Sequence, residues 1–159
     1  LHLAGELFRV MAGVNIVHVA YKGAAPAITA LLTGETHLMV TDAVNVLGHI
    51  KAGKLRGLAV TSAQPTALVP GLPAVAAALP GYEAVGVTGI WSPAGVPAAI
   101  INRLNVEIVR YLNRAEVKEG FFARGSEVIG GSPDQLAVFL KSDLANMGRV
   151  IREAGIKAD

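Results

Sequence analysis

Between residues 15 and 62 the hydrophobic pattern switches repeatedly between two periods, and this limits the fold more than any other feature. "NIVHVAY" (15–21) is β-branched and alternating, "PAITALLTG" (26–34) has helical spacing, and "THLMVTD" (36–42) alternates again. "AVNVLGHIKAG" (43–53) then places Val44, Leu47 and Ile50 on one helical face, and "LRGLAVTS" (55–62) reads as a third, buried strand. Short segments joined by tight turns predict βαβ units, and therefore an α/β fold with a mostly parallel sheet flanked by helices.

The flanking segments suit that scheme. Leu3, Leu7, Phe8 and Met11 predict a helix over 2–12 that stops at Gly13. Four prolines between 65 and 80 predict a long loop with at most one short helix near 74–79, and "YEAVGVTGIWSPAGVP" (82–97) predicts an extended strand with internal glycines. Helices are predicted over 97–113 and about 115–123, then a brief strand at 126–129. Ser132, Pro133, Asp134 and Gln135 form a helix start with a capping box, and the helix they open runs to Ala154. Its inward stripe is expected to be Leu136, Leu140, Leu144, Met147 and Ile151.

Composition excludes several classes. A 159-residue chain that is 52% hydrophobic buries a real core, whereas its 5% aromatic content and net charge of +2 give no basic, aromatic surface for nucleic acid. No apolar run reaches the roughly 18 residues that a membrane helix needs. The absence of cysteine removes disulfides and thiolate metal sites. The four histidines, at 2, 18, 37 and 49, show no HxxxH pair, and His18 and His37 are expected as polar positions on a sheet face. No serine sits in a nucleophile elbow and no glycine pattern fits a phosphate loop, so neither an enzyme nor a cofactor is expected. The first residues lack both an initiator Met and a signal-peptide layout, as if the chain began inside a longer one.

"YKGAAPA" (21–27) is the strongest lead to a site. A strand entering a helix through Lys22, Gly23, Ala24, Ala25 and Pro26 leaves first-turn N–H groups unpaired at the positive end of the helix dipole, next to a cation. Pro26 is expected at the first helical position. The turn is either an anion site or a routine connection with Lys22 in water. Thr41, Asp42 and Asn45 stand where the next strand meets the next helix, at the carboxyl edge of a parallel sheet, as ligand contacts or as a helix cap.

Five stretches together resemble the Bug family, the periplasmic substrate-binding receptors of tripartite tricarboxylate transporters. They are "HLAGELF" (2–8), "VAYKGAAPAITALLTGETHLMVTD" (19–42), "HIKAGKLRGLAVTS" (49–62), "SPAGVPAAIINRLN" (92–105) and "GGSPDQLAVFLKSDLANMGRVIREAGIK" (130–157). The chain departs from the family at Ala20, where a proline is usual, and at Val96, where a threonine is usual.

The resemblance implies a periplasmic binding protein-like fold of type II-like topology, a periplasmic location and no enzymatic activity. Family members are about twice as long, so the N-terminal half is expected to be missing. Residues 1–85 would be domain 2, residues 86–97 a hinge or crossover, and residues 98–159 the C-terminal helical part of domain 1. In the family a small carboxylate lies between the two domains. The positions this implies are His2, Leu3 and Ala4 at the first helix, then Tyr21, Lys22, Gly23, Ala24 and Ala25. Thr41, Asp42 and Asn45 follow, with Thr88, and Trp91 beside it, on the returning segment at the cleft wall or hinge. The implied partners are the ligand, membrane transporter subunits and, because half of domain 1 is absent, a second copy in a homodimer or swapped assembly. A sensory or regulatory domain of the same architecture, signalling to a protein partner, is the alternative.

Overall fold

The computed structural model describes residues 1–156. Lys157 of the matched ending and the last positions of the 98–159 segment lie outside the described residues. Among the described residues six α-helices follow in order: α1 (His2–Ala12), α2 (Ala24–Thr33), α3 (Ala43–Lys51), α4 (Ala98–Leu112), α5 (Ala115–Ala123) and α6 (Pro133–Ala154). A 3₁₀ turn, Val75–Ala77, lies between α3 and α4, inside the proline-rich loop.

The helices agree with the periodicity to within two residues. Pro26 is a correction: α2 begins at Ala24, so the proline is the third helical residue, still within the turn whose N–H groups have no helical acceptor. The cap of α6 forms as the sequence predicts. Gln135 N–H donates to Ser132 Oγ at 3.2 Å, and Ser132 N–H donates to Gln135 Oε1 at 2.8 Å.

The strands differ. Among the described residues, 15–21, 36–42, 55–62, 82–97 and 126–129 form no sheet, and the one β contact is a parallel bridge between Val60 and Ala74. Alternation specifies which face of a segment is apolar. A strand also needs a second backbone about 4.8 Å away to take its hydrogen bonds. Here Val60 pairs with Pro73 and Val75, each at 2.9 Å, and the Thr61 carbonyl accepts from Ala84 N–H at 2.9 Å. The segment thus finds its partners in the loop that follows it. Val17, 84% exposed, shows the consequence in the first segment, which has no paired strand beside it among the described residues.

The chain divides into two compact units, one formed by Leu1–Val85 with residues from Asn146 onward, the other by Gly86–Ala145. In the first, Leu7, Tyr82 and Val150 form the core, and Phe8, Met11, Val75, Leu79, Ala84 and Met147 pack against it. The Phe8 and Tyr82 rings meet edge to face at 6.5 Å. Val150 is the α6 residue that becomes buried, whereas Leu144, expected to face inward, is 70% exposed. In the second unit, Asn105 Nδ2 donates to the Gly131 carbonyl at 3.0 Å, fixing α4 to the start of α6. Arg103 and Arg110 flank Glu107 on the outer face of α4.

Candidate functional site

The turn before α2 is built around Gly23, whose φ of 105° an L side chain rarely adopts. Its N–H donates to the Tyr21 carbonyl at 2.9 Å, which closes a three-residue turn and points the chain into the helix. Gly23 has no side chain with which to cap α2, so the N–H groups of Ala24 and Ala25 have no acceptor among the described residues. Lys22 is exposed and makes no ion pair among the described residues. A cation and two free donors therefore coincide with the positive end of a ten-residue helix.

Tyr21 is committed elsewhere. Its hydroxyl donates to Glu35 Oε1 at 3.0 Å, so the ring runs back toward the far end of α2. Partial desolvation, the hydrogen bond and the negative charge of Glu35 together hold its phenol above the ordinary value. Sequence reasoning missed Glu35, because a spacing of fourteen residues across a helix has no local signature.

The start of α3 has the opposite character. Asp42 is the N-cap residue, yet its carboxylate makes no capping hydrogen bond and remains exposed. Asn45 Nδ2 donates to Thr41 Oγ1 at 3.2 Å, and Asn45 N–H donates to the Asp42 carbonyl at 3.0 Å. The Asp42 carboxylate opposes a second anion there and is free to accept from a hydroxyl or amino group.

At α1, His2 is the first helical residue and its ring stacks on His18, with centroids 3.8 Å apart and planes 11° from parallel. His18 is therefore tied to α1 and is not one of a row of positions on a sheet face. Nε2 of His2 also lies 3.9 Å from Glu6, a buried carboxylate that accepts from Arg9 Nε at 2.8 Å. Leu3 is half-buried, and the buried Ala4 gives its carbonyl to the Tyr82 hydroxyl at 3.0 Å. The structure links His2 to the segment leading into Lys22, and Thr41 to Asn45. Thr88 and Trp91 belong to the second unit.

None of the candidate residues lines either of two shallow depressions. One, about 510 Å³ and open, is bordered by Lys118, Phe122, Ser126 and Val128, and the other, about 240 Å³, by Gln64, Pro65 and Pro73. Among the described residues no group of three His, Asp or Glu side chains could hold a metal ion, and no helix is long and apolar enough to cross a membrane.

Residues 1–156 match the sequence profile described as the tripartite tricarboxylate transporter family receptor. The chain belongs to this receptor family. Members are periplasmic solute-binding receptors, not enzymes. Protein BugT of Bordetella pertussis is 33% identical over 157 residues, covering 98% of this chain and 48% of BugT. A protein from the clcB–clcD intergenic region of Pseudomonas knackmussii is 33% identical, covering 95% of this chain and 90% of that protein.

Among solved structures, R. palustris Rpa4515 with adipate superposes with a TM-score of 0.82 at 34% identity, covering 97% of this chain and 52% of that one. The periplasmic binding protein BugD gives 0.75 at 28% identity, covering 99% and 54%. Apart from the Pseudomonas knackmussii protein, the chain spans about half the length of the curated relatives it matches. The receptor family thus brings the periplasmic binding protein fold, although the described residues do not pair into its sheet.

Proposed function

We propose that this chain is the ligand-binding lobe, with part of the second lobe, of a periplasmic receptor that captures small dicarboxylates for a tripartite tricarboxylate transporter. The observation that carries the reading is the Lys22 turn, where an exposed cation adjoins two unpaired N–H groups at the start of α2. The 34% identical Rpa4515, solved with adipate, supports the ligand class. One carboxylate is assigned to Lys22, Gly23, Ala24 and Ala25. Asp42, with Thr41 and Asn45, selects on the rest of the ligand, and His2, Leu3 and Ala4 form the α1 edge. Residues 1–85, together with the end of α6 from Asn146, act as domain 2, residues 86–97 as the crossover, and residues 98–145 as the C-terminal part of domain 1.

Energetics limit the affinity of this lobe. A micromolar site needs about −8 kcal/mol, whereas each charge-assisted hydrogen bond returns about 1.5–3 kcal/mol before ordering costs are subtracted. Two or three such bonds in an open site support millimolar binding. Calorimetric titration with adipate tests the reading: weak binding that is lost in K22M supports it, and binding indifferent to Lys22 refutes it.

A further inference from the structure

We propose that His18 and Glu35 are positioning residues that hold the Lys22 turn from two sides, with Tyr21 as a strut between the turn and Glu35. The proposal rests on the carboxylate-binding reading above. His18 precedes Lys22 by one short segment and stacks at 3.8 Å on His2, the first residue of α1. Tyr21 adjoins Lys22 and bonds at 3.0 Å to Glu35, which follows Gly34, the residue that ends α2. One contact fixes the incoming segment against the start of α1, and the other fixes it against the end of α2.

The turn needs such restraint. Gly23 is the most freely rotating residue the chain offers there, and Lys22 has no partner of its own among the described residues. An unrestrained turn would be ordered only when ligand arrives, and that ordering would be subtracted from affinity. The His2 side of the clamp is itself anchored, because Glu6 meets both His2 and Arg9 from within α1. Neither His18 nor Glu35 needs to touch ligand for the effect.

The test is an adipate titration followed by amide proton–nitrogen NMR on the wild-type chain and on H18A, H18F, E35A and E35Q. Loss of one modest restraint predicts adipate binding about threefold to tenfold weaker in H18A and E35A, whereas H18F keeps a stacking face and E35Q keeps an acceptor, so both stay within about twofold. Unfolding midpoints should move only slightly in all four, since His18 and Glu35 are exposed and an exposed contact contributes little to stability. Unchanged affinity in H18A and E35A overturns the positioning role. So do equal losses in H18F and E35Q, which would make the imidazole and the carboxylate direct contacts. If adipate moves no amide of the wild-type chain, the carboxylate reading itself fails and takes this inference with it, an outcome visible before any variant is made.

Discussion

The Tyr82 hydroxyl donates to the Ala4 carbonyl at 3.0 Å, joining the first turn of α1 to a residue 78 positions later. Tyr82 is 1% exposed and touches Phe8 edge to face, so one side chain supplies both core packing and the anchor for the α1 end of the candidate site. Removing only the hydroxyl leaves the Ala4 carbonyl without that donor. Y82F should lose about 1–2 kcal/mol in urea unfolding, and Y82A about 3–5 kcal/mol through the added cavity. Equal stability of Y82F and wild type would show that the hydrogen bond contributes nothing.

Burial raises the Tyr82 phenol above its ordinary value of 10.0, and desolvation with Glu35 raises Tyr21 in the same direction. The fold favours the neutral phenol in both cases. Their contribution to stability is therefore complete below pH 10 and is lost as pH rises through the folded-state values. Ultraviolet titration should show phenolate appearing later in the folded chain than in urea, and E35Q should advance the Tyr21 part alone. Coincident folded and unfolded titrations would contradict this.

The helix signals were readable because they are local. Ser132 and Gln135 need only each other to cap α6, and the apolar spacing of 2–12 marks α1 without reference to the rest of the chain. The segment 15–21 shows the limit. Its alternation is genuine, but a strand depends on a partner backbone, and sequence periodicity does not supply one. The Lys22 turn was legible for the same reason as the caps, since Gly23 and the small residues after it determine the local donors. The stacking of His18 on His2 and the bond of Tyr21 to Glu35 are tertiary contacts and left no mark in the spacing.

S132A tests the cap directly. Loss of the Ser132 hydroxyl should cost about 1 kcal/mol in unfolding free energy, as for other helix caps. An unaltered midpoint would mean that the Gln135 side of the box suffices.

Ile129 is 80% exposed and Val138 71% exposed, and Val17, Leu58 and Ile90 add further apolar surface. Where such side chains gather into one patch, they favour association. Light scattering should report a homodimer or a swapped assembly at concentrations of order 100 μM, above the Kd of a micromolar dimer. A monomeric mass would contradict that expectation.

Asp42 should set selectivity. With its carboxylate free to accept, D42N should weaken a hydroxyl- or amino-bearing dicarboxylate about tenfold relative to adipate, the size of one charge-assisted hydrogen bond. Parallel changes for both ligands would remove Asp42 from the selection of substituents.

The most direct measurement is the response of individual backbone amides to adipate. Binding through the Lys22 turn predicts that the Gly23, Ala24 and Ala25 amides shift first and saturate in the millimolar range, near about −4 kcal/mol, with the shifts abolished in K22M. Shifts confined to other residues, or persisting unchanged in K22M, would contradict the assignment of the site, and submicromolar saturation would contradict the claim that this lobe alone binds weakly.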